Sequence, residues 1–188
     1  MVRVAHLATV GSLLLLTSSC LAQPDWESRG FTGDTKSLPH PVQLPPAALA
    51  LLTSDKEDFP DGPARDLRCN QQGETPPGPP DSGDPKPELL CTAVKLSSKP
   101  GTDYLVLGSG GLLGAHALPF WVIHQDPHGV SLLFTTRADG LSIRRVSYHG
   151  YREVEVDWIL QAGRIVTTKR YRFTGKRYTE FYSHDTHH

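Results

Sequence analysis

The chain has 188 residues, of which 38% are hydrophobic and 21% charged, and 19 basic against 20 acidic side chains leave a formal net charge of -1. This balance argues against a nucleic-acid-binding protein, which usually carries a basic surplus. The apolar content excludes a wholly disordered chain, and no apolar run reaches the roughly 18 residues of a membrane-spanning helix. The 17 glycines and 16 prolines favour turns and short strands over long helices.

Residues 1–22 have the pattern of a secretory signal peptide. Arg3 supplies the basic start, residues 7–16 form an apolar core, and the Cys-Leu-Ala sequence at 20–22 is a small-x-small cleavage site before Gln23. We therefore expect a secreted or periplasmic protein, cleaved after Ala22.

Cys20 leaves a second form of export open. Bacterial lipoprotein signals are cut immediately before a cysteine that then receives lipid. Such signals usually have leucine three residues before the cysteine, where this chain has Thr17, and Leu16 lies one residue too early. A lipid anchor at Cys20 is the alternative to a free exported protein.

Cys69 and Cys91 are the two cysteines that remain after cleavage. An exported protein with an even number of cysteines is expected to pair them. The segment between them is rich in proline and glycine, notably over residues 72–87, and CxxC spacing is absent. The pattern predicts a structural disulfide that closes a long loop.

The mature chain divides by composition into four parts. Residues 44–52 predict a short helix, because prolines at its first positions lack an N–H that would be unpaired anyway and Ala and Leu propagate well. The predicted parts are a disordered arm at 23–43, the helix and Pro/Gly-rich loop at 44–87, a β domain at 88–182 and a His-rich tail at 183–188.

The β domain contains eight short β-rich runs, separated by glycine-containing turns with hairpin spacing. The pattern predicts a mainly β fold, an antiparallel meander of about eight strands in two four-stranded units on either side of residues 137–139. Sandwich, blade-like and curved-sheet arrangements all remain open. The runs are 89–96, 103–107, 120–125, 130–135, 141–148, 151–160, 164–173 and 177–182.

Several segments of the chain share a pattern with known proteins. The segments are 44–47, 113–116, 119–122, Gly150-Tyr151-Arg152-Glu153-Val154 and Tyr171-Arg172-Phe173-Thr174-Gly175-Lys176-Arg177-Tyr178. Together they resemble a family of exported bacterial proteins with the C-terminal pattern G-Y-R-[DE]-[IVL] … Y-R-F-x-G-K-x-Y. The resemblance implies a secreted β-rich module, with no established activity and no catalytic residue to carry over.

The glycine-rich stretch at 108–114 is the first candidate for a binding loop, because loops on a rigid sheet carry function disproportionately. Leu113 stands where the dinucleotide fingerprint needs its third glycine, and a β-type run follows instead of a helix. A close approach of backbones is therefore the simpler explanation for these glycines. The candidate ligand-binding residues are Gly110, Gly111, Gly114, His116, Trp121, Tyr151 and Arg172.

Acidic and basic side chains alternate between neighbouring runs of the second half. Glu153, Glu155 and Asp157 share one strand face, and basic residues lie on the two flanking runs, so cross-strand charge pairing accounts for both sets. Together with tyrosines, the basic residues form a candidate aromatic-basic surface in 144–178. The single acid of loop 96–103 and the histidines at the C-terminal end give no reason to expect a metal site.

These observations favour an exported, non-enzymatic binding or interaction module of the bacterial envelope. The expected partner is a protein or a glycan, with no nucleic acid, no cofactor and no transmembrane helix. A small envelope-acting hydrolase is one alternative, although the G-x-S-x-G and HExxH motifs are absent. A periplasmic enzyme inhibitor is the other.

Overall fold

The computed structural model describes residues 31–32, 38, 40–54, 59, 67, 69, 87–110, 112 and 117–188. The predicted signal peptide with Cys20, and the 72–87 loop apart from Pro87, lie outside the described residues. The elements are β1 Phe31–Thr32, α1 Pro46–Leu52, β2 Pro87–Val94, β3 Thr102–Gly110, β4 Leu118–Asp126, β5 Gly129–Ala138, β6 Gly140–Tyr148, β7 Tyr151–Leu160, a 3-10 turn Gln161–Gly163, β8 Ile165–Phe173 and β9 Tyr178–His187.

The strands form two antiparallel sheets. Sheet I has the order β2-β3-β4-β5, and sheet II has the order β1-β6-β7-β8-β9. The chain passes from one sheet to the other between Ala138 and Gly140, the break that the sequence predicts. The predicted mainly β fold, with two four-stranded units and one short helix, is confirmed, and the two-residue strand β1 extends sheet II beyond the prediction.

Sheet I is the middle layer of the fold, because apolar side chains cover both of its faces. On β4, Phe120 and Val122 pack into the core shared with sheet II, whereas Trp121 and Ile123 pack into a second core that contains residues of α1. Successive strand residues point to opposite faces. This burial on both sides explains why residues 118–123 of β4 form a continuous apolar run without polar alternation.

Helix α1 follows the predicted proline start. Pro45 is its N-cap, and no side chain caps the N-terminus. Ala48 and Leu52 are fully buried, so packing compensates for a length that is too short for a stable isolated helix. No helix among the described residues has the length and hydropathy needed to cross a membrane.

The described residues of segment 23–43 are attached to the sheets. Leu38 is buried in the core between the sheets, and Val42 donates its backbone N–H to the Cys91 carbonyl at 3.0 Å. Strand β1 pairs with β6 through Phe31 and Thr32. The arm was predicted to be disordered, but these residues bury apolar area or make backbone hydrogen bonds that such an arm would lack.

The predicted disulfide joins Cys69 and Cys91, with their Cα atoms 5.5 Å apart. Both residues are buried in the core beside α1. The Gln43 side chain donates a hydrogen bond to the Cys69 carbonyl at 2.7 Å. The disulfide therefore holds Cys69 against β2, the edge strand of sheet I.

An aromatic cluster fills the core beside β7, β8 and β9. The ring of Phe173 lies 3.9 Å from that of Tyr151 and 5.8 Å from that of Tyr178, centroid to centroid. The Tyr178 hydroxyl donates to the Arg152 carbonyl at 2.7 Å, and burial raises the pKa of Tyr178. These residues belong to the pattern that carries the resemblance, so this part of the pattern describes packing.

Replacing both cysteines, Cys69→Ala with Cys91→Ala, is expected to lower the free energy of unfolding by about 3 kcal/mol, since the disulfide closes a long loop in the unfolded chain. Urea unfolding of the variant beside the oxidised and the reduced parent measures the loss. The reduced parent should match the variant, and equal unfolding midpoints for all three proteins would contradict a stabilising disulfide.

Candidate functional site

The glycine-rich loop is only partly described. Gly110 is the last residue of β3 and pairs with Pro87, whereas Gly111, Gly114 and His116 lie outside the described residues. A Cβ on the neighbouring Gly108 would come within 2.5 Å of the Pro119 ring. Glycine is therefore required at position 108 because Pro119 approaches the backbone closely. This agrees with close backbone approach, rather than phosphate binding, as the reason for the glycine.

The other three candidate residues lie in three different layers of the fold. Trp121 is fully buried between sheet I and α1, and Tyr151 is buried between the two sheets. Arg172 lies on the side of sheet II that faces away from sheet I. These residues therefore do not form one site, and only Arg172 is accessible to a partner.

Arg172 belongs to a surface that we call the outer face of sheet II. It is built from charged side chains of β6, β7 and β8 and from aromatic side chains of β6 and β9. Its members are Arg144, Tyr148, Glu153, Glu155, Arg170, Arg172, Phe181 and Tyr182.

Ion pairs between neighbouring strands order the charges of the outer face. Arg170 Nε lies 2.7 Å from Glu155 Oε2, and Arg172 Nε lies 2.6 Å from Glu153 Oε1. The Glu153 side chain is only 3% exposed, and Arg144 approaches it to 3.6 Å from the other flanking strand. A buried carboxylate is costly unless it is paired, so the arginines are held in place by the charges beneath them, as the predicted cross-strand pairing requires.

Aromatic rings lie against the same arginines. The Arg172 guanidinium carbon is 3.8 Å from the ring centroid of Phe181 and 5.1 Å from that of Tyr148. The corresponding distance from Arg170 to Tyr182 is 4.5 Å. Tyr148, Phe181 and Tyr182 are still 43%, 41% and 38% exposed. The result is an accessible surface of rings and guanidinium groups that support one another.

A β-bulge brings two aromatic residues to this surface. The β8–β9 register shifts so that Arg170 is opposite Tyr182 while Tyr171 is opposite Glu180, which leaves Phe181 as the extra residue. Phe181 and Tyr182 were not among the candidate residues. A bulge changes which side chains share a face, and the run of β-forming residues gives no signal of it.

A buried carboxylate–imidazole pair is the second polar feature of the structure. Asp103 on β3 and His124 on β4 are direct cross-strand partners, and His124 Nδ1 lies 2.7 Å from Asp103 Oδ1. The other Asp103 oxygen accepts the backbone N–H groups of Leu96 and Ser97, at 3.0 and 2.9 Å. The two side chains are 5% and 9% exposed, so this pair is part of the interior.

The pair joins neighbouring strands inside sheet I. On its other side, the Nε2 atom of His124 lies 3.9 Å from Asp126 Oδ2. Burial and the charge of Asp103 also raise the pKa of the adjacent Tyr151.

The segment 183–188 was predicted to be a His-rich tail beyond the β domain, but strand β9 continues to His187 and pairs with β8 over this length. Three-residue spacing on a strand directs His184 and His187 to opposite faces. Among the residues that the structure describes, no group of three or more His, Cys, Asp or Glu side chains is placed to hold a metal ion.

Comparison with known proteins identifies no relative: no protein-family model, no curated protein and no solved structure matches this chain.

The substitution Asp103→Ala is expected to lower the free energy of unfolding by about 3 kcal/mol, because it leaves buried donors on Leu96, Ser97 and His124 without their acceptor. The control Asp126→Asn keeps an oxygen for its turn and should change the stability by less than about 0.5 kcal/mol. Urea unfolding compares the two variants, and equal midpoints would show that the pair does not stabilise the fold.

Proposed function

We propose that this protein is an exported, non-enzymatic interaction module that binds a protein partner through the outer face of sheet II. The observation that carries the proposal is the row of exposed rings at Tyr148, Phe181 and Tyr182, stacked on Arg170 and Arg172. Tyrosine and arginine are enriched among the residues that dominate protein interfaces.

The charge pattern favours a protein partner over a polyanion. Arg170 and Arg172 are already paired with Glu155 and Glu153, so the face offers little uncompensated positive charge. A polyanion binds chiefly through such charge. A protein interface instead combines buried aromatic groups with paired polar groups, which is the composition of this face.

The fixed geometry of the face also favours binding. Ordering a long side chain at an interface costs about 0.5–1.5 kcal/mol. The Arg170 and Arg172 guanidinium groups already make ion pairs and ring contacts in the unbound protein. Much of this ordering cost therefore falls on folding rather than on binding. A partner contacts arginine side chains that are already ordered.

Export is the second part of the proposal. The signal-peptide pattern of residues 1–22 supports it, and the Cys69–Cys91 disulfide is compatible with an oxidising compartment. The free form cleaved after Ala22 is the preferred product, with lipid attachment at Cys20 as the alternative.

The intact mass of the protein from its native host tests export. We expect a chain that begins at Gln23 and gains two hydrogens on reduction, because the signal is removed and Cys69 is paired with Cys91. A chain that begins at a lipidated Cys20 would replace the free form with an anchored one. An uncleaved chain with free thiols would overturn export.

A photo-crosslinking amino acid at position 182 tests the binding face in the native host. We expect one discrete protein adduct at position 182 and none at position 135, an exposed site on sheet I. The second-site substitution Phe181→Ser should lower the adduct yield about tenfold, since it removes a ring from the centre of the contact.

Two results would contradict a protein partner at this face. Equal adducts at positions 182 and 135 would indicate non-specific contact. Retention by envelope polysaccharide that is lost in Tyr182→Ser, without a protein adduct, would replace the protein partner with a glycan. Leu160→Ser is the matched control, because it removes an exposed apolar side chain away from the face.

A further inference from the structure

Strand β9 is an edge of sheet II. It pairs with β8 on one side, and no described strand pairs with its other side. Residues 179–187 of β9 are all exposed. The edge of a sheet presents unpaired backbone N–H and C=O groups, and the structure that satisfies both in alternation is another strand.

Strand β9 lacks the residue types that usually keep a sheet edge from pairing with another chain. It contains no lysine, arginine or proline, the residues that commonly protect exposed edges. The bulge at Phe181 interrupts its first half, so the regular part of the edge begins at Tyr182. The edge strand β2 of sheet I differs, because the Val42 N–H already bonds to the Cys91 carbonyl.

The hydrogen bonds between β8 and β9 show which backbone groups point outward. His188 donates its N–H to the opposite Arg164 carbonyl at 2.9 Å, and hydrogen-bonded pairs alternate with non-bonded pairs along an antiparallel ladder. Every second residue before His188 therefore directs its backbone groups toward β8. The N–H and C=O groups of Ser183, Asp185 and His187 point away from β8 and are available to a further strand.

A second copy of β9 fits this edge in one register better than in the others. Two copies of a strand that continue one sheet antiparallel are related by a two-fold axis perpendicular to the sheet, so one residue lies opposite itself. If that residue is Asp185, two carboxylates meet. If it is one of 183–184, the bulge at Phe181 falls inside the paired segment. If it is Thr186, Asp185 of each copy lies opposite His187 of the other.

The register centred on Thr186 pairs groups of complementary chemistry. Asp185 and His187 are two residues apart and share one face of the strand. Asp185 accepts the Thr167 hydroxyl at 2.7 Å through Oδ1, and its Oδ2 makes no other hydrogen bond among the described contacts. An imidazole N–H of His187 in the second copy can donate to this oxygen.

The opposite face of the strand is also self-complementary. Thr186 lies opposite Val166, which lies opposite Ile159. The two-fold axis joins this row to its own copy through a Thr–Thr pair, and threonine pairs across strands are favourable. A continuous row of β-branched residues then crosses from one sheet to the other.

We propose that the protein forms a reversible homodimer in which the 184–188 segments of two β9 strands pair antiparallel about Thr186. Sheet II then continues from one copy into the other. Each Asp185–His187 pair exchanges two backbone hydrogen bonds, because both residues point outward. The contact lies beyond Phe181 and Tyr182 on the strand, so it does not depend on the partner proposed for the outer face of sheet II.

Sedimentation velocity measures the association, using the chain that begins at Gln23 over roughly a thousandfold range of concentration. We expect a monomer–dimer equilibrium. His187→Asp should raise the dissociation constant about tenfold, because it places carboxylates directly opposite one another in two pairs. The exchange Asp185→His/His187→Asp restores an acid opposite each imidazole and should return the constant close to that of the parent.

A single added cysteine tests the register. Cys69 and Cys91 are paired, so a thiol at position 186 is free to react with its own copy. Opposite residues of neighbouring strands have Cα atoms close enough for a disulfide. Thr186→Cys should therefore form a covalent dimer about tenfold faster than His184→Cys, which exposes a thiol on the same face but does not lie opposite itself.

The outer-face variant Phe181→Ser separates this dimer from the proposed partner. It should dimerise like the parent, and urea unfolding of every variant should match that of the parent, since all replaced side chains are exposed. A parent that stays monomeric over the whole range, parent-like association of His187→Asp, or equal crosslinking at positions 184 and 186 would overturn the proposal.

Discussion

One buried carboxylate connects the two sheets of this protein. Asp103 accepts the backbone N–H groups of Leu96 and Ser97 and thereby fixes the loop that follows β2. The same loop bonds to sheet II, because the Leu96 carbonyl accepts the Arg152 N–H at 2.7 Å and the Ser98 N–H donates to the Gly150 carbonyl at 3.0 Å. The start of β7 is thus held against sheet I by hydrogen bonds to the loop that Asp103 fixes.

The loop after β2 leaves no room for a side chain at Gly101. A Cβ at Gly101 would lie 2.4 Å from the Gln125 carbonyl oxygen and 2.8 Å from the His124 ring, and its φ of 127° disfavours other residues. The loop therefore packs directly on the imidazole that Asp103 orients. Sheet II is fixed at this end, while Ile159 and Leu160 at the other end of β7 are exposed.

The parts of the fold that depend on local pattern could be predicted. Proline placement gives the helix, and glycine turns give the breaks between strands. Cys69 and Cys91, the two cysteines outside the predicted signal peptide, leave one intramolecular pairing. The charge alternation on β7 likewise predicts the ion pairs of Glu153 and Glu155. Each of these features is set by residues that are close in sequence or by a choice with few alternatives.

The candidate site depends on long-range geometry, and there prediction was weaker. Trp121 and Tyr151 are the residue types that bind ligands, but burial on both faces of sheet I and between the sheets removes them from the surface. The bulge at Phe181 and the pairing of Asp103 with His124 appear only when strands are placed in register. A single sequence contains no local signal for either.

The position of β4 between two cores has a consequence for the unfolded chain. A strand buried on both faces must be apolar at almost every position, and residues 118–123 carry no charge. Such segments with high β-propensity self-associate when they are exposed. Pro119 and the polar His124–Asp126 end of the strand limit that tendency, because proline and charge interrupt intermolecular β-pairing. Aggregation should therefore compete with folding mainly before sheet II and α1 have covered this strand.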